Sequence, residues 1–162
     1  MTEIADSLGD AEYQLRALWG LWSFHINGVR YRTALALALA LAQRYSALAA
    51  THPDLDDRLT GERMIGVSHH YLGNQESARR HIERALAEST TPANAPRIIH
   101  TQLDLRVTAR VHLARILWLQ GFPDCAMRIA ERSIEDARAA RHAVSLSYAL
   151  ARAACPDDAV RA

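Results

Sequence analysis

Glycine and proline are scarce in this chain, with seven and five among 162 residues, and that scarcity points away from loop-rich architectures and toward helices. Cysteine is scarcer still. Cys125 and Cys155 have no partner at metal or redox spacing, which excludes a disulfide framework or a cysteine metal cluster and fits a reducing cytoplasm. No long hydrophobic run is present: the longest, Ala34 to Ala42, is closed by Gln43-Arg44 and reaches about half of the roughly 20 residues that a membrane span needs. Charge of one sign is missing too. Nineteen Lys+Arg against eighteen Asp+Glu leave a formal +1, too little for bulk attraction to nucleic acid or an anionic membrane. Met1 to Asp10 lacks the basic segment and apolar run of a secretory signal. The expectation is a soluble, cytoplasmic protein that makes no direct nucleic-acid contact.

What the chain has instead is apolar content, 49% of its residues, in a length that suits one domain with a substantial core of its own. A short pattern recurs: a large-small pair, a turn glycine, and an alanine that opens the next helix. Copies read Trp19-Gly20, Gly28, Ala34; Ile65-Gly66, Gly73, Ala78; and Leu113-Ala114, Gly121, Ala126. The small residue of the pair returns after 46 and then 48 residues, a period typical of stacked helical hairpins. Gly66 should therefore sit where its helix closely approaches a neighbour.

Local signals divide the chain into helices. The first spans about Ala11 to Asn27 behind a Gly9-Asp10 break and cap, and Asn27-Gly28 turns the chain into a second, about Tyr31 to Ala50, which Thr51-His52-Pro53-Asp54 ends. A third, about Leu55 to Leu72, turns at Gly73-Asn74 into a fourth, about Gln75 to Glu88. Ser89 to Thr101, with Pro92 and Pro96, is the one long connection. Asp104 caps a fifth helix that reaches Gln120; Gly121-Phe122-Pro123 turns, with Pro123 suited to the first helical position of a sixth, to about Ala140. A seventh apolar segment follows from His142 to Ala154. The expected fold is one all-α domain over residues 1–162: three long hairpins, near 11–50, 55–88 and 104–140, and an unpaired terminal helix, 142–154. Ile4 to Leu8 reads as the last turns of a helix whose partner is missing. Together with the unpaired seventh helix this predicts a piece of a longer array, able to form a homodimer through terminal helices, with a small self-capped protein as the alternative.

The stretch from Met64 to Leu86 resembles a tetratricopeptide repeat, through Ile65-Gly66, Gly73, Ala78, Ile82 and Ala85. Leu113-Ala114, Gly121, Ala126 and Ala130 match in the same way, with Ser133 in place of the final alanine. Leu15 to Trp22, Arg79 to Leu86 and Ile116 to Asp124 look like the long-helix repeat region at the carboxyl end of large bacterial transcriptional regulators, which join such repeats to an ATPase module and a winged-helix or cyclase domain. The resemblance implies a tetratricopeptide-like superhelix whose signalling role is to hold a protein partner, or other domains of the parent regulator. No glycine-rich loop ending in Lys-Ser or Lys-Thr is present to cradle a triphosphate, and no helix-turn-helix signature points to DNA.

In such a stack the first helix of each hairpin lines a concave groove. Counting from the small residue of each pair selects Leu21 and Phe24, Val67 and His70, Arg115 and Trp118, to which neighbouring turns add Ala17, Arg63, Val111, His25 and Tyr71. Arg63 and Arg115 could fork onto a carboxylate while His70, Tyr71, Phe24, His25 and Trp118 supply area, so the groove suits a peptide or, as the alternative, an anionic metabolite. The competing role for Phe24 and Trp118 is packing between hairpins. His69-His70, with His81 near across the turn, invites a metal, but adjacent helical residues point about 100° apart and four-ligand spacing is lacking. Arg79, Arg80, Arg84 and His81 make a basic face that Glu76, Glu83 and Glu88 interrupt, with Glu76 placed to pair with Arg80. Ser68 beside His69 is no triad by adjacency, and Glu62 and His69 share one helix face as many residues do. No catalytic residue, metal or cofactor is expected.

Overall fold

The computed structural model describes residues 11–27, 32–51, 54–89 and 103–153. The Gly9-Asp10 cap, Ile4 to Leu8, Gly28, Pro92, Pro96 and Cys155 lie outside them. All regular structure among the described residues is helical, in seven helices: α1 (Ala11–Asn27), α2 (Arg32–Ala50), α3 (Leu55–Tyr71), α4 (Gln75–Ala87), α5 (Leu105–Leu119), α6 (Pro123–Ala139) and α7 (Ala143–Ala153). The chain divides into two compact units, Met1–His81 and Ile82–Ala162, a division that falls within α4.

In the first unit, α1 buries Leu15, Leu18, Trp22 and Ile26, a stripe with helical spacing. The alternating Ala and Leu of α2 bury Leu35, Ala38, Ala42, Tyr45 and Ala49. α2 packs against both α1 and α3, and α1 also meets α3. The two helices α2 and α3 approach closely at Gly61: a Cβ there would lie 3.0 Å from the Ser46 backbone on α2. Gly20, by contrast, is exposed, and a Cβ on it would meet nothing within 4 Å. The pair that opened the repeat pattern therefore carries no close packing at its glycine, whereas Gly66 is buried in α3. Among the described residues α2 alone is long and apolar enough by length and composition to cross a membrane. It extends well past the run that ends at Ala42, and its Tyr45 hydroxyl is engaged by Asp57 of α3 at 3.0 Å.

In the second unit, α6 packs against α5 and α7, which also meet each other. Val107, Val111, Ala137 and Ala149 form the centre, with Ile134, Leu146 and Tyr148 around it. Ser133, the departure from the repeat's alanine, is fully buried and donates its hydroxyl to the Ala130 carbonyl at 2.7 Å. A hydroxyl satisfied by its own helix lets serine occupy an alanine-sized space.

The helix ends follow local chemistry. Asp54 caps α3 by accepting the Asp56 N–H at 2.9 Å, and Asp104 caps α5 by accepting from the backbone of Arg106 and Val107, which satisfies donors that the first turn leaves open. Pro123 is the first residue of α6. Gly73 and Gly121 end α3 and α5 with φ of +88° and +82°, each within paired 5→2 and 6→1 hydrogen bonds: Gly73 N–H to His70 O and Asn74 N–H to His69 O, then Gly121 N–H to Trp118 O and Phe122 N–H to Leu117 O. Arg141 plays the same part after α6 at φ 50°, without being glycine.

Candidate partner-binding site

The first unit holds Phe24, His25, Arg63, His70 and Tyr71 of the expected groove. Arg63 is buried, and its guanidinium lies 5.4 Å from the centre of the Trp22 ring, a cation over an aromatic face. Trp22 donates its indole N–H to Ser68 Oγ at 2.9 Å, and Ser68 donates in turn to the Met64 carbonyl. Beside them Tyr45 donates to Asp57. Burial, and then the nearby Asp57 charge, holds the Tyr45 phenol well above its ordinary range, while the positive Arg63 pulls the other way. These groups face one another across three helices, so Arg63 works as an internal residue. His70 is also buried. Its Nδ1 meets Gln75 Oε1 at 2.9 Å, and Gln75 Nε2 donates to the His70 carbonyl at 3.1 Å, so the ring clamps the α3–α4 turn with Tyr71 tilted against it. Phe24 is 70% exposed and stacks edge-on with His25. The rotation of α1 is the reason: its buried stripe runs through Leu18 and Trp22, which leaves Phe24 to solvent.

His69 and His81 stack at 5.8 Å, nearly parallel, and His81 Nδ1 lies 2.8 Å from Glu62 Oε2. Glu62 and His69 thus belong to one small cluster, joined by a histidine from the next helix. Burial first, and then the adjacent His81 and Arg80, lowers the His69 pKa from its usual value. No group of three or more His, Cys, Asp or Glu among the described residues could hold a metal ion. On the basic face of α4, Arg80 donates to Ser77 Oγ at 3.1 Å, a nearer hydroxyl than the Glu76 carboxylate expected as its partner.

The second unit holds Arg115 and Trp118. Arg115 is buried in α5, and Trp118, one turn on, is 41% exposed. At the α5–α6 turn Leu119 and Phe122 are also exposed, as is Met127 in the second turn of α6. Counting from the small residue of the pair did not mark these three, although their apolar identity next to a turn glycine was the available signal. The packing residues Ala78, Ala85, Ala114 and Ala126 are buried, while Gly73 and Gly121 are exposed turn residues.

Two further arrangements went unmarked. Arg110 of α5 pairs with the buried Asp136 of α6; burial and the neighbouring Arg132 and Arg106 lower the Arg110 pKa. At the start of α7, His142 Nδ1 accepts the Ser145 backbone N–H at 3.3 Å and meets Ser145 Oγ at 2.9 Å, and Ser145 Oγ accepts the Asp104 N–H at 2.8 Å. Ser, His and Asp are the residue types of a hydrolytic triad, but the arrangement is that of a tie between helix ends. Ser145 is fully buried and the Asp104 carboxylate caps α5, so the carboxylate does not orient the imidazole as a triad requires.

Comparison with protein-family models, curated proteins and solved structures finds no match for the chain.

Proposed function

We propose that the chain is a non-catalytic protein-binding scaffold built of tetratricopeptide-like hairpins, acting as the repeat or sensor region of a bacterial transcriptional regulator. The observation that carries this reading is the group of large apolar side chains left in solvent at the α5–α6 turn, Trp118, Leu119 and Phe122, with Met127 exposed on the helix that follows. Scattered exposed hydrophobics are ordinary, whereas several gathered at one place favour a partner. The stacked-repeat element is supported by register. Trp22 and Ser68, which hydrogen-bond between α1 and α3, are 46 residues apart, the same interval that separates Gly20 and Gly66. Equivalent positions of consecutive copies thus meet in space, as stacking requires. Quantitative capture from bacterial lysate should recover a defined set of proteins with the wild-type chain and lose it with Trp118→Ala/Met127→Gln; an identical set from both would overturn the reading.

A small anionic metabolite is the second reading, favoured by the cation Arg115. A ligand that binds only the folded state adds about 2.7 kcal/mol of stability at 100 times its dissociation constant. A metabolite screen that raises the melting temperature of wild type but not of Arg115→Gln would select it. Association of two copies is a further part of the proposal, supported by the exposed Val144 and Leu150 on α7; light scattering over a concentration series tests it, and a strict monomer would remove it.

A further inference from the structure

Three titratable side chains meet on the seam between α3 and α4. Glu62 and His69 belong to α3, and His81 comes from α4 to lie against both: its Nδ1 is 2.8 Å from Glu62 Oε2, and its ring stacks on that of His69 at 5.8 Å and 16°. An ionised carboxylate only accepts, so His81 Nδ1 donates to Glu62. His69 is placed differently. Asn74 Nδ2 approaches its Nδ1 at 3.5 Å, a contact that suits a nitrogen without a proton, and Arg80 is the charged neighbour beyond His81. The helices α1 and α2 also pack against α3, but they bring Trp22 to Ser68 and Arg63, and Tyr45 to Asp57. Among the described residues, the charged groups set against the two imidazoles are therefore Glu62 of α3 and Arg80 of α4.

This arrangement accommodates one charged imidazole and opposes a second. With one ring charged, the Glu62 carboxylate balances it. With both charged, like charges face each other at 5.8 Å in a half-buried place, Arg80 adds a third, and Glu62 balances only one. Partial burial of His69 acts in the same direction. Both penalties are relieved when the rings part and water reaches them.

We propose that Glu62, His81 and His69 form a proton-operated latch on the α3–α4 hairpin, closed while His69 is neutral and released when His69 takes up a proton. The sign follows from linkage. The latched His69 has a lowered pKa, and a released ring regains an ordinary value of about 6.5, so the released form binds the proton more tightly. The latch is fully held above about pH 6.5 and weakens as pH falls below that value. Its effector is the proton, and it does not depend on what the chain binds.

Native-state hydrogen exchange of the full chain, corrected for intrinsic rates, tests it beside imidazole titration by NMR, from about pH 7.5 to about pH 5. Below about pH 6.5, protection of the amides of residues 78–81 should fall by up to about tenfold per pH unit, the most that one proton allows. That fall should follow the titration of His69, while amides of α2 keep their protection. In His69→Gln it should be absent. In His81→Gln, His69 should titrate closer to its ordinary value, because its like-charged neighbour is gone. Were His81→Gln to misfold, His69→Gln still decides the matter. A fall of equal size in His69→Gln would assign the response to other groups and overturn the latch. Equal loss in α2 would make the event global unfolding and overturn it too, as would protection at residues 78–81 that stays constant while His69 titrates. A His69 midpoint unmoved by His81→Gln would remove the coupling between the rings and with it the proposal.

Discussion

Single glycines separate helix propensity from packing. At the exposed Gly20, where a Cβ meets nothing within 4 Å, alanine adds helix propensity at no steric cost, so Gly20→Ala should stabilise by about 0.5–1 kcal/mol. At Gly61 any Cβ presses on the Ser46 backbone at 3.0 Å, and Gly61→Leu should destabilise by about 1–3 kcal/mol through overpacking. Urea titration of both variants checks the pair, and a stabilising Gly61→Leu would remove the close contact between α2 and α3. Arg141 offers the opposite case. It holds a φ of 50° at the end of α6, a conformation that disfavours a side chain by about 1–2 kcal/mol and suits glycine. Arg141→Gly should raise the melting temperature, unlike Gly121→Ala, which forces a Cβ into the same kind of position and should lower it.

Among the elements, α5 depends most on its start. Asp104 is buried, accepts two backbone N–H groups of the first turn, and donates its own N–H to Ser145 of α7. Removing the carboxylate leaves those donors open, and Asp104→Ala should cost about 2 kcal/mol, the upper end for a cap, because water has poor access to replace it. Chemical denaturation of Asp104→Ala beside Asp104→Asn checks this, with asparagine expected to recover most of the loss; equal losses would assign the effect to charge. α3 shows the same interdependence, since its Ser68 and Arg63 engage Trp22 of α1 and its Asp57 engages Tyr45 of α2.

For the whole molecule, stability should be bounded on both sides of a neutral plateau. His69 has a lowered folded-state pKa, so the unfolded chain takes up its proton first. Its contribution is complete above about 6.5 and is lost as pH falls below that value toward the folded one. Tyr45 has a raised folded-state pKa, so the unfolded chain loses its proton first; that contribution is complete below about pH 10 and is lost as pH rises above it. Melting temperature against pH should therefore fall at each end. His69→Gln should flatten the acid limb and Tyr45→Phe the alkaline limb, the latter with about 1–3 kcal/mol lost at neutral pH because the buried Asp57 loses a donor. Limbs unchanged in the variants would show that other groups govern the pH response.

The features that the sequence determined by itself are those decided within a few residues: the cap at Asp104, Pro123 opening α6, Gly73 and Gly121 closing α3 and α5, and the alanine-rich run of α2 as a helix. Each follows from the conformations open to one residue or the donors of one turn, so no distant contact is needed to read it. Tertiary structure alone decided which side of each helix faces in. Counting from Gly20 assigned Phe24 to the groove but did not mark Leu18 and Trp22 as the side on which α1 packs, which leaves Phe24 in solvent. It also decided the partners. Tyr45 with Asp57, Arg110 with Asp136, and Ser145 with Asp104 are joined across helices, and no local spacing encodes them. Arg106, Arg110 and Arg115 are the same residue type on one helix; only the placement of α6 and of the α5 cap gives two of them a carboxylate.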